Sequence, residues 1–179
     1  KIKYFLRRKK ALHEVSSLSD LKLLENEFQK EKLFCVDTEF DWRTTYIPKL
    51  SLIQIGFRDK IFLIDCLNIN PRDFLRFPLE SKEFLKIFHA VRSDATVIKN
   101  CLNINSHNVF DVQVAESFLN DGSIVGYGSI VQKYTGLSLN KSETNSNWLK
   151  RPLTKNQIRY AFEDVDYLID IYFSQRKKL

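Results

Sequence analysis

The chain has 179 residues, 44% of them hydrophobic, and its 28 Lys and Arg outnumber 22 Asp and Glu for a net charge of +6. A chain of this length supports one packed core and argues against two full domains, and the basic excess favours a polyanionic partner, either nucleic acid or an anionic membrane surface. No apolar stretch reaches the roughly 18–20 residues of a membrane span and none has the apolar core of a secretory signal, so the expectation is a cytoplasmic protein with no membrane partner.

Residues 1–10, with Arg7, Arg8, Lys9 and Lys10 and no acid, are expected to form a solvated basic N-terminal arm ahead of a single domain over 11–179. A short strand is predicted near Leu12 to Val15. Ser17 to Asp20 then resembles a capped helix start, with Leu21, Leu24 and Phe28 following at helical spacing. The apolar run Leu33 to Val36 and the strand-like segments Leu50 to Ile55 and Lys60 to Ile64, the last two joined across Arg58-Asp59, suggest three consecutive antiparallel strands. Beyond residue 80, short apolar strands at Ile87-Phe88 and Val109-Phe110 alternate with helical stretches around 95–102, 112–119 and 127–134, the pattern of an α/β domain with a mixed sheet. Ser138 to Asn147 reads as a loop. A last helix begins at a Thr154/Gln157 capping box and carries Ile158, Ala161, Phe162, Val165, Leu168, Ile169 and Tyr172 on its apolar stripe. Cys35, Cys66 and Cys101 are odd in number, widely spaced and set among apolar residues, which suits reduced core thiols better than disulfides or a zinc site.

The chemistry lies in acids placed against this framework. Asp37 and Glu39 follow the buried run at 33–36, and in a strand residues i and i+2 share a face, so the two carboxylates project together from the strand end. Side by side they repel unless a cation sits between them. Taken alone, the pair is equally the polar end of a strand entering a turn. Asp164 lies three residues after Ala161 and four before Leu168, at the edge of the buried stripe, and Tyr160 lies one turn before it; an ordinary acidic helix face is the alternative, with Glu163, Asp166 and Asp170 on its solvent side. Asp94 precedes an apolar helix and is compatible with a simple cap. His89 is compatible with a substrate contact or a satisfied core imidazole. Four carboxylates with a tyrosine suit phosphodiester hydrolysis, in which a pair of Mg²⁺ or Mn²⁺ ions activates water and stabilises the leaving oxygen. The basic excess then has the phosphate backbone as its target.

These residues resemble the DEDD exonucleases, specifically the ribonuclease D branch with a tyrosine in its third motif. The first motif appears as Asp37-Thr38-Glu39-Phe40, continuing through Arg43, Thr45-Tyr46, Pro48 and Leu52 to Ile55; the second as Phe88-His89-Ala90 with Asp94; the third as Tyr160-Ala161 and Asp164-Val165. Val109 to Asp111 with Gln113, Tyr134 to Gly136, Lys141 to Glu143, Trp148-Leu149 and Arg151 to Leu153 are also similar, so the resemblance runs over roughly 12–173. It implies a ribonuclease H-like fold, three antiparallel strands leading into parallel ones, flanked by helices. It also implies a 3′-5′ exoribonuclease that acts on RNA 3′ ends with two divalent metal ions, Mg²⁺ or Mn²⁺, and releases nucleoside 5′-monophosphates. In that carry-over Asp37 bridges both ions, Glu39 and Asp164 complete the more buried site, and Asp94 serves the second ion through water. Tyr160 holds or helps deprotonate the attacking water, and Thr38, Phe40 and His89 contact the 3′-terminal nucleotide. Val91 departs from the family pattern, where a small residue is common, and the chain shows no helical HRDC domain after the nuclease. The competing expectations are an exonuclease for DNA ends or short oligonucleotides, and a catalytically silent nucleic-acid-binding module.

Overall fold

A computed structural model of the chain describes residues 9–42, 47–140 and 142–179. Most of the basic arm, with Arg7 and Arg8, lies outside the described residues, as do Arg43, Thr45, Tyr46 and Lys141 of the family motifs. In chain order the elements are β1 (Ala11–Val15), α1 (Leu21–Lys30), β2 (Leu33–Asp41), β3 (Lys49–Gly56), β4 (Lys60–Asp65), α2 (Arg72–Glu80), β5 (Leu85–Phe88), α3 (Arg92–Leu102), β6 (Val109–Asp111), α4 (Val112–Leu119), α5 (Tyr127–Thr135), α6 (Lys155–Asp166) and α7 (Leu168–Arg176).

The strands form one mixed sheet in the order β1-β4-β3-β2-β5-β6. β2, β3 and β4 are antiparallel, whereas β1 joins β4, β5 joins β2 and β6 joins β5 in parallel. Period-two alternation sorts the apolar side chains between the two faces. Phe34, Val36, Ile53, Ile55, Phe62 and Ile64 pack with α1, α2 and α3, and Cys35, Leu52, Ile61, Leu63 and Ile87 pack with α4 to α7. Each fully buried Phe or Ile on these faces contributes about 1.5–3 kcal/mol relative to an exposed one, so loss of either helical layer removes many such terms together. The cysteines are free thiols, with Cys35 buried.

Several sequence expectations change. β2 runs on to Asp41, so Asp37 and Glu39 stand inside the strand and not at its end. α2 breaks the run between β4 and β5; Leu75, Pro78 and Leu79 form its buried face, and Pro78, normally a helix breaker, disguises it in sequence. The final helix is two helices, because the backbone turns at Tyr167 between α6 and α7. At α1, the Asp20 carboxylate accepts from the Ser17 backbone N–H at 3.0 Å and the Ser17 hydroxyl at 2.7 Å, closing a preceding turn without capping the helix. Lys10, expected in the solvated arm, is buried and donates to the Asp166 carbonyl at 2.8 Å, which also removes Asp166 from the solvent side of α6.

Candidate active site

Asp37 and Glu39 share a face of β2 with Cys35, the face that α6 covers. The β2–β3 register shifts between Glu39 and Phe40, a bulge that interrupts the regular pairing beside the two acids before it resumes at Phe40 and Leu50. α6 begins at the expected capping box, in which Thr154 and Gln157 exchange side-chain and backbone hydrogen bonds at 2.9 and 3.1 Å. Its Ala161 and Val165 are fully buried against the sheet. That contact is close because β3 offers Gly56: a Cβ there would meet the Val165 Cβ at 3.2 Å. Asp164, one residue before Val165, is thereby lowered onto β2, and Asp37, Glu39 and Asp164 each offer a carboxylate oxygen within 4.8 Å of the others.

Asp94 reaches the same region from α3. It lies in the first turn behind Val91, which occupies the cap position, so it is not a cap. It is 5% exposed and accepts a hydrogen bond from the Thr38 hydroxyl. Burial pushes all four acids above the ordinary carboxylate range. For Asp37, raised well above it, the charges of Asp94, Asp164 and Glu39 add to burial; Glu39 rises to about 9 through burial and the charges of Asp164 and Asp94. Asp164 rises to about 7 through burial and the charges of Glu163 and Asp94, and Asp94 to about 6 through burial, restrained by the Thr38 hydrogen bond. Among the described residues no Lys, Arg or His forms an ion pair with any of them. Closely spaced, partly desolvated carboxylates without a protein cation are a donor set for a hard divalent ion, and oxygen-only ligation suits Mg²⁺ or Mn²⁺.

Tyr160 stands one turn before Asp164, with its hydroxyl 3.4 Å from that of Thr144 and its ring 6.0 Å from Trp148. Burial and the Asp164 charge push its phenol up to about 12, so the hydroxyl is protonated at neutral pH. The loop that carries Thr144 is pinned to the sheet: Arg151 donates to both Asp65 carboxylate oxygens at 2.7 Å, and the Trp148 carbonyl accepts from Ser51 of β3.

A cleft of about 300 Å³ opens over Asp37 and Asp164, lined also by His89, Tyr127, Thr144 and Tyr160 among others, while Glu39 and Asp94 are not part of its lining. His89 therefore faces the cleft. Burial holds its imidazole below the ordinary value, so it is neutral at pH 7, and its ring lies 5.3 Å from that of Tyr127. Thr38 lies on the opposite face of β2 with its hydroxyl committed to Asp94, and Phe40 packs half-buried against the core and Trp42; neither side chain lines the cleft.

Two contributors carried no role in the sequence reading. Tyr127, at the first turn of α5, lines the cleft and donates from its hydroxyl to the Glu163 carbonyl at 3.0 Å. Asp111 accepts from the backbone N–H groups of Ala90 and Val91 at 3.0 and 2.9 Å while capping α4 through Gln113 and Val114. That clamp holds Ala90 at φ 55°, a left-handed conformation unfavourable for a residue with a Cβ, and so fixes the turn between His89 and Asp94. Asp111 lay in a family-like stretch that carried no role with it, and a tyrosine in a short helix is too common to stand out in sequence.

The sequence profile of the 3′-5′ exonuclease family matches residues 12–179. Ribonuclease D of Desulfotalea psychrophila is 36% identical over 155 residues, which cover 86% of this chain and 41% of that protein. Among solved structures, Escherichia coli RNase D, described as an exoribonuclease involved in structured RNA processing, superposes with a TM-score of 0.88 at 31% identity, covering 93% of this chain and 44% of that one. The catalytic core of RRP6 from Trypanosoma brucei gives a TM-score of 0.86 at 25% identity over 94% of this chain and 46% of that one. The chain thus spans less than half the length of these relatives.

Proposed function

The chain belongs to the 3′-5′ exonuclease family, and from that premise we propose that it removes nucleotides one at a time from RNA 3′ ends, releasing nucleoside 5′-monophosphates. The observation that carries the reading is the convergence of Asp37, Glu39 and Asp164 to within 4.8 Å from β2 and α6, with Asp94 nearby on α3 and Tyr160 beside them on the cleft wall. A pure binding module gains nothing from clustered negative charge next to a phosphate; a hydrolase that recruits cations does. The preference for RNA over DNA is supported by the ribonuclease D and RRP6 likenesses.

Asp37, Glu39 and Asp164 would hold one divalent ion, and Asp37 with Asp94 a second. Bound there, Mg²⁺ or Mn²⁺ supplies Lewis acidity for the attacking water and counter-charge for the phosphoryl and leaving oxygens. The protein's own part is placement. The protonated Tyr160 hydroxyl orients the attacking water, a contribution of about a hundredfold or more. The cleft, at about 300 Å³, matches the lower end of small-ligand pockets and accepts one terminal nucleotide between the neutral His89 with Tyr127 and the acids.

A 5′-labelled RNA incubated with Mn²⁺ or Mg²⁺ should yield a ladder shortened from the 3′ end. The ladder should vanish in EDTA and in Asp37→Asn, with a matched DNA cut more slowly. Full activity in EDTA or in that variant would sink the reading, and equal cutting of DNA would remove the RNA preference alone.

A further inference from the structure

Gln54 lies at the heart of the sheet, and none of the roles above uses it. In the β2–β3 ladder it stands directly opposite Asp37. Opposed residues of an antiparallel pair project to the same face with Cβ atoms about 4.5–5.5 Å apart. Gln54 is 0% exposed, and neither its amide nitrogen nor its carbonyl oxygen has a hydrogen-bond partner. An unpaired carboxamide in a core costs about 1–3 kcal/mol, and an apolar side chain would suit the packing better. On its other side the row continues to Leu63 of β4, so of the two cross-strand neighbours of Gln54 only Asp37 is polar. The cost is unexplained by the fold and finds its reason one strand away.

We propose that Gln54 is a positioning residue for Asp37: its amide N–H donates to the Asp37 carboxylate when that carboxylate holds a divalent cation, and so fixes which oxygen faces the cation. The inference rests on Asp37 being a cation ligand. A carboxamide fits the task because it orients a carboxylate without cancelling its charge, whereas a lysine or arginine in the same place would compete with the cation. Hydrogen-bonding partners of metal-ligating side chains typically change metal affinity by about 10–100-fold.

The test titrates the whole chain with Mn²⁺ alone by calorimetry and records metal-free melting temperatures, comparing the natural chain with Gln54→Met, Gln54→Asn and Asp37→Asn. Gln54→Met keeps the volume and deletes the orphaned polar atoms. Its metal-free melting temperature should be unchanged or higher while its Mn²⁺ affinity falls about tenfold or more. Gln54→Asn, smaller but still an amide, should bind Mn²⁺ several-fold more tightly than Gln54→Met even if it melts earlier. Unchanged Mn²⁺ affinity in Gln54→Met makes Gln54 a packing residue and overturns the proposal. Equal affinity losses in the Met and Asn variants assign the effect to packing and do the same. If Asp37→Asn itself keeps full Mn²⁺ affinity, the cation reading of the site fails, a result distinguishable because it does not involve Gln54.

Discussion

Tyr160 and Asp164 share one face of α6, yet their chemistry separates them. Loss of Asp164 removes a charged oxygen donor from the cluster, while loss of the Tyr160 hydroxyl removes a neutral group and leaves the ring beside Trp148. Tyr160→Phe should therefore retain Mn²⁺ affinity and RNA binding while single-turnover cleavage falls about a hundredfold; cleavage at the normal rate would make the tyrosine a packing residue. Asp164→Asn carries a different expectation for the metal-free chain. Glu39, Asp164 and Asp94 titrate near 9, 7 and 6 in the folded state, against about 4 for unfolded carboxylates, so the folded chain binds more protons than the unfolded one throughout that window. Stability then falls as pH rises from about 4 to about 9. Asp65, Glu27 and Glu116, held below their ordinary values, lose their contribution only at lower pH and do not reverse the trend. Without metal, Asp164→Asn should melt roughly 5 °C above the natural chain at pH 8, where it relieves a repulsion. The gap should narrow as pH falls and close only below about pH 4, where Asp164 is protonated in the unfolded chain as well. A lower melting temperature for the variant at pH 8 would show that the acid stabilises the fold.

At the scale of elements, the site depends on how closely α6 lies on β3. Gly56 sets that distance, and the alanine methyl of Gly56→Ala would press on the Val165 Cβ at 3.2 Å, inside ordinary carbon contact distance, while touching the Cys35 Cβ at 3.4 Å. Overpacking of this kind costs about 1–3 kcal/mol. The larger effect should fall on catalysis, because α6 rises by a few tenths of an ångström and carries Tyr160 and Asp164 with it; a turnover loss of roughly tenfold or more at a modest drop in melting temperature is expected. A variant with normal turnover would mean that α6 tolerates the displacement. The sequence disclosed α6 well, since its capping box and its Ile158–Ala161–Val165 stripe are local signals. The break at Tyr167 was hidden because the apolar spacing continues through it into α7. α2 was hidden by Pro78, which stands inside the helix on its buried face with Leu75 and Leu79. The placement of Asp37 with Glu39 was legible from period two alone. The convergence of Asp94 was not, because it depends on the Asp111 clamp joining the turn before α3 to the start of α4, a contact between segments distant in sequence. Gln54 was equally opaque, one of two polar letters in the run Leu50 to Ile55.

For the whole molecule, the two helical layers play unequal parts. One layer, α1 to α3, adds only Asp94 to the cluster, while α6 alone supplies Asp164 and Tyr160. The rest of the cluster is built into β2, at the centre of the sheet. α1 packs on α2 through Leu21, Leu24 and Phe28, and it lines no part of the cleft. Detachment of α6 from the sheet dissolves the three-carboxylate cluster even while every strand remains paired, whereas fraying of α1 leaves the cluster intact. A cation that binds only the intact cluster must therefore oppose the first kind of opening and ignore the second, by a free energy that grows with the logarithm of its saturation. Amide hydrogen exchange makes the difference visible: at a hundredfold excess of Mn²⁺ over its dissociation constant, exchange through opening of α6 should slow by about a hundredfold, and exchange through local fraying of α1 should keep its metal-free rate. Equal slowing in both helices would mean that they open only together, and that the docking of α6 has no independent motion for the metal to arrest.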